Sequence, residues 1–137
     1  MSFEKELIRL CEQYALDGLY VFGSQAQSAV RSLQMNTPMP PSDSDLDIGV
    51  FPHNVLSVNQ KVELAMDLES LFGVSRVDLI SLPETDPFLA ANIIRGERLY
   101  IRDAYQADEY ELYILRRAGD LAPFERERMV MVMGESV

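Results

Sequence analysis

Three aspartates and a Gly-Ser turn are the residues of this chain whose types and spacing suit chemistry. Asp45 and Asp47 open the run Asp45-Leu46-Asp47-Ile48-Gly49-Val50-Phe51, Asp78 interrupts Val77-Asp78-Leu79-Ile80, and Gly23-Ser24 closes the apolar run Leu19-Tyr20-Val21-Phe22. Side chains alternate along an extended strand, so Asp45 and Asp47 point to one face while Leu46, Ile48 and Val50 point to the other. One face chelates and the other packs. Two carboxylates about 4 Å apart repel by roughly 4 kcal/mol at an effective dielectric near 20, so a pair on one strand face requires a proton or a cation. A hard, oxygen-seeking ion such as magnesium meets that need. At Gly23 the backbone can approach closely, and the amides of a helix starting after Ser24 face whatever lies there, a geometry that holds phosphate oxygens. Together these residues make a site for a divalent metal and a triphosphate.

Blander readings compete with this one. An EF-hand calcium loop begun at Asp43 needs glycine at its sixth place and glutamate at its twelfth, where this chain has Ile48 and Asn54. A solvated acidic turn would suit Asp45 and Asp47 taken alone, but the apolar run that follows demands a half-buried strand, and buried paired acids need a reason. Asp78 alone could be a strand acid paired with Arg76 or Arg31. Lone His53 has no Cys or second His near it in sequence and argues against zinc, and Cys11 reads as core filler on an apolar helix stripe. Arg95, Arg98 and Arg102 read as solvated helix-end cations, with phosphate or an acidic partner as the alternative. Met129 to Met133 is too short to cross a membrane and reads as a docking face or a packed terminal helix.

Composition narrows the class. At 137 residues, nearly half of them apolar, the chain is long enough for one genuine core and short for two ordinary domains. Its 22 acidic residues against 12 basic ones give a formal charge of −10. Such a surface repels a phosphate backbone, which weighs against a nucleic acid partner and favours a basic protein or a small metal-bound nucleotide. One cysteine and no membrane-length apolar stretch point to a reducing cytoplasm and no membrane partner.

The elements that must position the aspartates follow from periodicity. A helix over 3–16 carries Phe3, Leu7, Leu10, Cys11 and Tyr14 and ends at Asp17-Gly18. A short buried strand spans 19–22, and a helix with Ala26, Ala29, Val30 and Leu33 inward follows Ser24. Pro38, Pro40 and Pro41 make 34–44 a loop that delivers the chain to a strand over 45–51. A helix over 57–72 buries Val58, Val62, Ala65, Met66, Leu68 and Phe72, with Gly73 as its C-terminal cap. A third strand spans 74–81, Asp86-Pro87 starts a helix that runs to Gly96, and 99–101 is a fourth strand. The tail from about 107 reads as one or two helices broken near Gly119 and Pro123.

Leu19 to Ser24, Ser44 to Val50 and Val77 to Ile80 together resemble the nucleotidyltransferase superfamily related to DNA polymerase beta, in its minimal (MNT) form. Asn92-Ile-Ile-Arg-Gly-Glu-Arg-Leu-Tyr100 resembles the MntA-type antitoxins encoded beside HEPN-domain toxins. The resemblance implies an α/β nucleotidyltransferase fold, a short mixed sheet with helices packed on one face, over 1–103, and a helical extension over 104–137. It implies that Gly23 and Ser24 hold the triphosphate of ATP. Asp45 and Asp47 then bind two Mg2+ ions, and Asp78 completes the metal site and helps activate the acceptor hydroxyl. The implied reaction is transfer of AMP to a tyrosine of a cognate HEPN-type toxin, by in-line displacement with pyrophosphate leaving. A partner-binding pseudoenzyme and nucleotidylation of a small hydroxyl compound are the alternatives. Two departures stand out. Gln25, Ala26, Gln27 and Ser28 follow Gly-Ser where relatives continue Arg-Ala-Arg-Gly, and each lost charge-assisted phosphate contact removes about 1.5–3 kcal/mol. The interval between Ser24 and Asp45 is longer than the compact family spacing, and its Pro-rich loop 34–44 is readable as a lid, a partner contact or a tolerated insertion.

Overall fold

The computed structural model describes residues 2–135, with side chains through Asp120. Helix α1 (Phe3–Gln13) is capped by Ser2, whose hydroxyl accepts the Lys5 N–H, and it buries Leu7, Leu10 and Cys11. The chain turns at Ala15, which adopts a φ of 51°, and β1 (Leu16–Phe22) begins at once. Asp17-Gly18, expected to end the first helix, therefore lies inside a strand. The reason is position: β1 is paired on both sides, and its ladder overrides the turn preference of those two residues. After Gly23-Ser24-Gln25 come α2 (Ala26–Met35), β2 (Leu46–Pro52) and α3 (Val58–Phe72). A reciprocal Ser57–Gln60 capping box opens α3, and Gly73, at a φ of 70°, closes it. Then follow β3 (Val77–Ser81), a short 3-10 turn (Leu82–Glu84), α4 (Pro87–Ile94), β4 (Glu97–Ile101) and α5 (Ala104–Glu135). The Asp86 carboxylate accepts the N–H groups of Phe88 and Leu89, so α4 starts where the Asp-Pro pair predicts.

The strands form one mixed sheet in the order β3-β2-β1-β4, with β2 and β3 parallel and the other neighbours antiparallel. Leu19 and Val21 of β1, with Leu46, Ile48 and Val50 of β2, pack against α1, α2 and α3. Tyr20 and Phe22 point the other way, into a second cluster with Ala90, Ile93 and Ile94 of α4 and Ile114 and Ala118 of α5. Helices thus cover both faces, not the one expected. An apolar residue at every position from Leu19 to Phe22 leaves neither side of β1 fit for water.

Two further expectations are corrected, and the loop after α2 gains a definite position. Val58, Val62 and Met66, expected inward, are 75%, 52% and 59% exposed, because Leu64, Leu68 and Phe72 take the sheet-facing side of α3. Helix α5 continues through Gly119 and Pro123, although a glycine and a proline in a helix interior cost about 1 and 3 kcal/mol. The loop after α2 is pinned: Met39 is buried in the main core, its N–H donates to the Phe72 carbonyl at 3.1 Å, and the Ser32 hydroxyl donates to the Thr37 carbonyl. The reading of Met129 to Met133 lies outside the described side chains. No described helix is long and apolar enough to cross a membrane.

Candidate active site

Asp47 and Asp78 lie side by side where β1 ends and β2 and β3 begin, with Asp45 just ahead of β2. Phe22 pairs with Asp47 across the antiparallel β1–β2 ladder, and Asp47 pairs with Asp78 across the parallel β2–β3 ladder. Residues in register on neighbouring strands share a face, so Asp47 and Asp78 stand side by side on the face that carries α4. Leu46 and Val77, one residue before each, point into the main core and fix that orientation. A slip of one residue in β3 would send Asp78 to the opposite face.

The backbone of the Gly-Ser turn lies against the first carboxylate. Gly23 has a φ of 76°, and a Cβ there would stand 2.5 Å from Asp47 Oδ2, so only glycine lets the turn close on the acid. Gln25 occupies the N-cap of α2 but makes no side-chain bond to its first turn. The pinned loop walls a cavity of about 220 Å³ beside this turn, between Gln25, Pro40, Ser44 and Val74.

The electrostatics single out Asp47. Its pKa is raised, first by desolvation and then by the charges of Asp78 and Asp45. Asp45 itself precedes β2, is exposed, and faces Arg76 Nε across 3.6 Å. Asp78, also exposed, forms no ion pair among the described residues, so the pairing with Arg76 considered for it falls to Asp45 instead. Of the three acids only Asp47 is partly buried, which revises the expectation of a buried pair at 45 and 47. No three described His, Cys, Asp or Glu side chains are gathered closely enough to enclose an ion as they stand. The donor set nonetheless suits a hard divalent cation: a half-buried carboxylate destabilised by two carboxylate neighbours is relieved by positive charge among them.

A different aspartate sits at the far end of β1. Asp17 is 4% exposed and accepts from Arg102 Nε at 2.6 Å and Gln106 Nε2 at 3.3 Å, while His53 Nδ1 lies 3.3 Å away. The Arg102 charge is reinforced chiefly by that bond. Arg98 is likewise held by Asp108 and Glu111. Neither is a free helix-end cation as the sequence suggested. Asp17 carried a signal that was passed over, a carboxylate within Leu16-Asp17-Gly18-Leu19, the same pattern that singled out Asp78. Cys11 is core filler, and burial pushes its thiol up to about 12.

Comparison with known proteins places the chain in a family. The sequence model of the family described as polymerase beta, nucleotidyltransferase, matches residues 5–105. The chain belongs to that nucleotidyltransferase family. Among curated proteins nothing matches. Among solved structures, a toxin–antitoxin with AMP-PNP is 22% identical, with 95% of this chain and 98% of that one covered and a TM-score of 0.74. One chain in the structure of a tri-AMPylated Shewanella oneidensis HEPN toxin in complex with MNT antitoxin is 22% identical, with 98% of this chain and 97% of that one covered and a TM-score of 0.65. At these identities the likeness shows a shared fold alone, over nearly the whole chain.

Proposed function

We propose that this nucleotidyltransferase transfers AMP from magnesium-bound ATP to a tyrosine hydroxyl of a HEPN-type toxin and so acts as its antitoxin. The observation that carries the reading is the register of Asp47 with Asp78 on one sheet face, closed by the Gly23 turn. The solved relatives add that proteins of this fold occur with AMP-PNP and with an AMPylated HEPN toxin. The transferase unit is taken as 1–103, the helix beyond it as its extension, and the compartment as the cytoplasm.

Asp45, Asp47 and Asp78 would hold the magnesium, two ions once nucleotide is present, and Gly23 and Ser24 the triphosphate. When bound, the metal would supply positive charge that stabilises the attacking and departing oxygens. The chain's own residues do the rest. Gly23 brings backbone against the phosphates, Ser24 donates its hydroxyl to them, and exposed Asp78 accepts the tyrosine proton. The tyrosine oxygen bonds to the α-phosphorus as the bond to the bridging oxygen breaks, and pyrophosphate leaves. The charge of −10 steers such a site toward a toxin with a basic surface.

A second reading is favoured by the ion pair of Asp45 with Arg76 and by the neutral Gln25 and Gln27. In it the chain keeps the fold and silences its partner by binding alone. One experiment separates the two. The chain is incubated with ATP, magnesium and the HEPN-domain protein encoded beside it, and both proteins are weighed by mass spectrometry. The transferase predicts AMP mass on a toxin tyrosine, lost when Asp45→Asn and Asp47→Asn are combined. Silencing without added mass, unchanged in the double variant, establishes the binding-only antitoxin.

A further inference from the structure

A site that gathers three carboxylates and a triphosphate needs fixed positive charge of its own, and the Gly-Ser turn does not supply it. Ser24, Gln25, Gln27 and Ser28 are all neutral. Gln27 Nε2 lies 3.2 Å from Glu97 Oε1, so that side chain is engaged with a further carboxylate. The described cations around the sheet are mostly committed: Arg76 to Asp45, Arg98 to Asp108 and Glu111, Arg102 to Asp17. Arg95 differs. It is exposed, and its guanidinium makes no hydrogen bond or ion pair among the described residues.

Its place in the fold is set by two glycines. Gly96, which follows it, lies so close to β1 that a Cβ there would overlap the Val21 carbonyl oxygen and stand 3.0 Å from Phe22 Cβ. Phe22 is the residue that pairs with Asp47. Ile93, two residues before Arg95, packs onto Gly49, where a Cβ would overlap its Cγ2, and Gly49 is two residues along β2 from Asp47. Both contacts hold the end of α4 on the face that carries Asp47 and Asp78, with the Arg95–Gly96 peptide beside the residues that lead into the Gly23 turn.

We propose that Arg95 is the phosphate-binding cation of this site, taking the phosphates of a nucleoside triphosphate that are not transferred. A guanidinium suits that task because its planar fork meets two phosphate oxygens at once and never loses its charge. Charge placed there favours ATP over AMP and steadies pyrophosphate as it departs. The assignment rests on the nucleotidyltransferase reading above.

The test is calorimetry on the full chain with magnesium, using ATP and AMP as probes. Arg95→Ala weakens ATP binding about tenfold or more, changes AMP binding less than about twofold, and flattens the salt dependence of the ATP affinity. Arg95→Gln, which keeps the length of the side chain, behaves like the alanine variant, and Arg95→Lys recovers part of the loss. Melting curves confirm that the variants fold. ATP affinity within twofold of wild type in Arg95→Ala, or an equal loss for AMP, overturns the assignment and leaves the transferase reading standing. A wild-type chain that binds no ATP with magnesium present overturns both.

Discussion

At one end of β1, Asp17 is almost sealed from solvent yet is met by Arg102 and Gln106 and approached by His53. At the other end, Asp47 is less buried but has Asp78 and Asp45 as its electrostatic neighbours. The same residue type on the same sheet is compensated in one place and frustrated in the other. Burial alone therefore does not mark a chemical site. A carboxylate provided with donors ties the fold together, here β1 to the start of α5. One surrounded by like charge holds free energy that a cation can release.

Exchanging the two aspartates for neutral residues sharpens this contrast most. Asp47→Asn should lower the rate of AMP transfer by about 10³-fold or more, since its carboxylate belongs to the charge-stabilising set, while melting stays level or rises as repulsion with Asp78 and Asp45 is relieved. Asp17→Ala should do the reverse. Removing a buried, hydrogen-bonded acid lowers Tm by about 5–10 °C, and the transfer rate per folded molecule stays within about twofold. Mass-spectrometric rates and thermal melts on the two variants decide it. If Asp17→Ala also stops transfer in folded protein, the two ends are coupled and the contrast fails.

Gly23→Ala tests how closely the turn and the acid are joined. An alanine at a φ of 76° costs about 1–2 kcal/mol of backbone strain, and its Cβ collides with Asp47 Oδ2. Tm should fall by a few degrees and magnesium should no longer raise it, whereas in wild type added magnesium stabilises the folded state by mass action. A Gly23→Ala protein that magnesium still stabilises would show that the turn does not shape the metal site.

The smallest effect is in pH. A carboxylate whose pKa is raised by folding binds its proton more tightly in the folded state, so the folded state gains from protonation and loses from ionisation. The penalty at Asp47 is absent below the ordinary carboxylate pKa of about 4, where both states are protonated, and is complete once pH passes the raised value. In metal-free buffer, wild-type stability should therefore fall relative to Asp47→Asn as pH rises through that window. Urea melts at a series of pH values measure the difference, and parallel curves would remove the frustration assigned to Asp47.

Local rules made much of this protein legible in its residues. Alternation around Asp47 and Asp78, the Asp86-Pro87 start of α4 and the Gly73 stop of α3 depend on neighbours a few positions apart, and each is found where those rules put it. What separated expectation from outcome lies between residues distant in sequence. Asp17 reads as a helix terminator until Arg102, 85 residues later, arrives to neutralise it inside a strand. Val58, Val62 and Met66 form as good an apolar stripe as Leu64, Leu68 and Phe72, and only the sheet beneath α3 chooses between them. Strand order is of the same kind: nothing local says that β3 lies parallel to β2 with Asp78 opposite Asp47, or that Gly96 folds back onto β1. Side-chain chemistry and its period are properties of the chain, so the sequence by itself determined which residues could form the site. Register and partner choice minimise the burial and charge energy of the whole fold at once, so only the tertiary structure decided which of them meet.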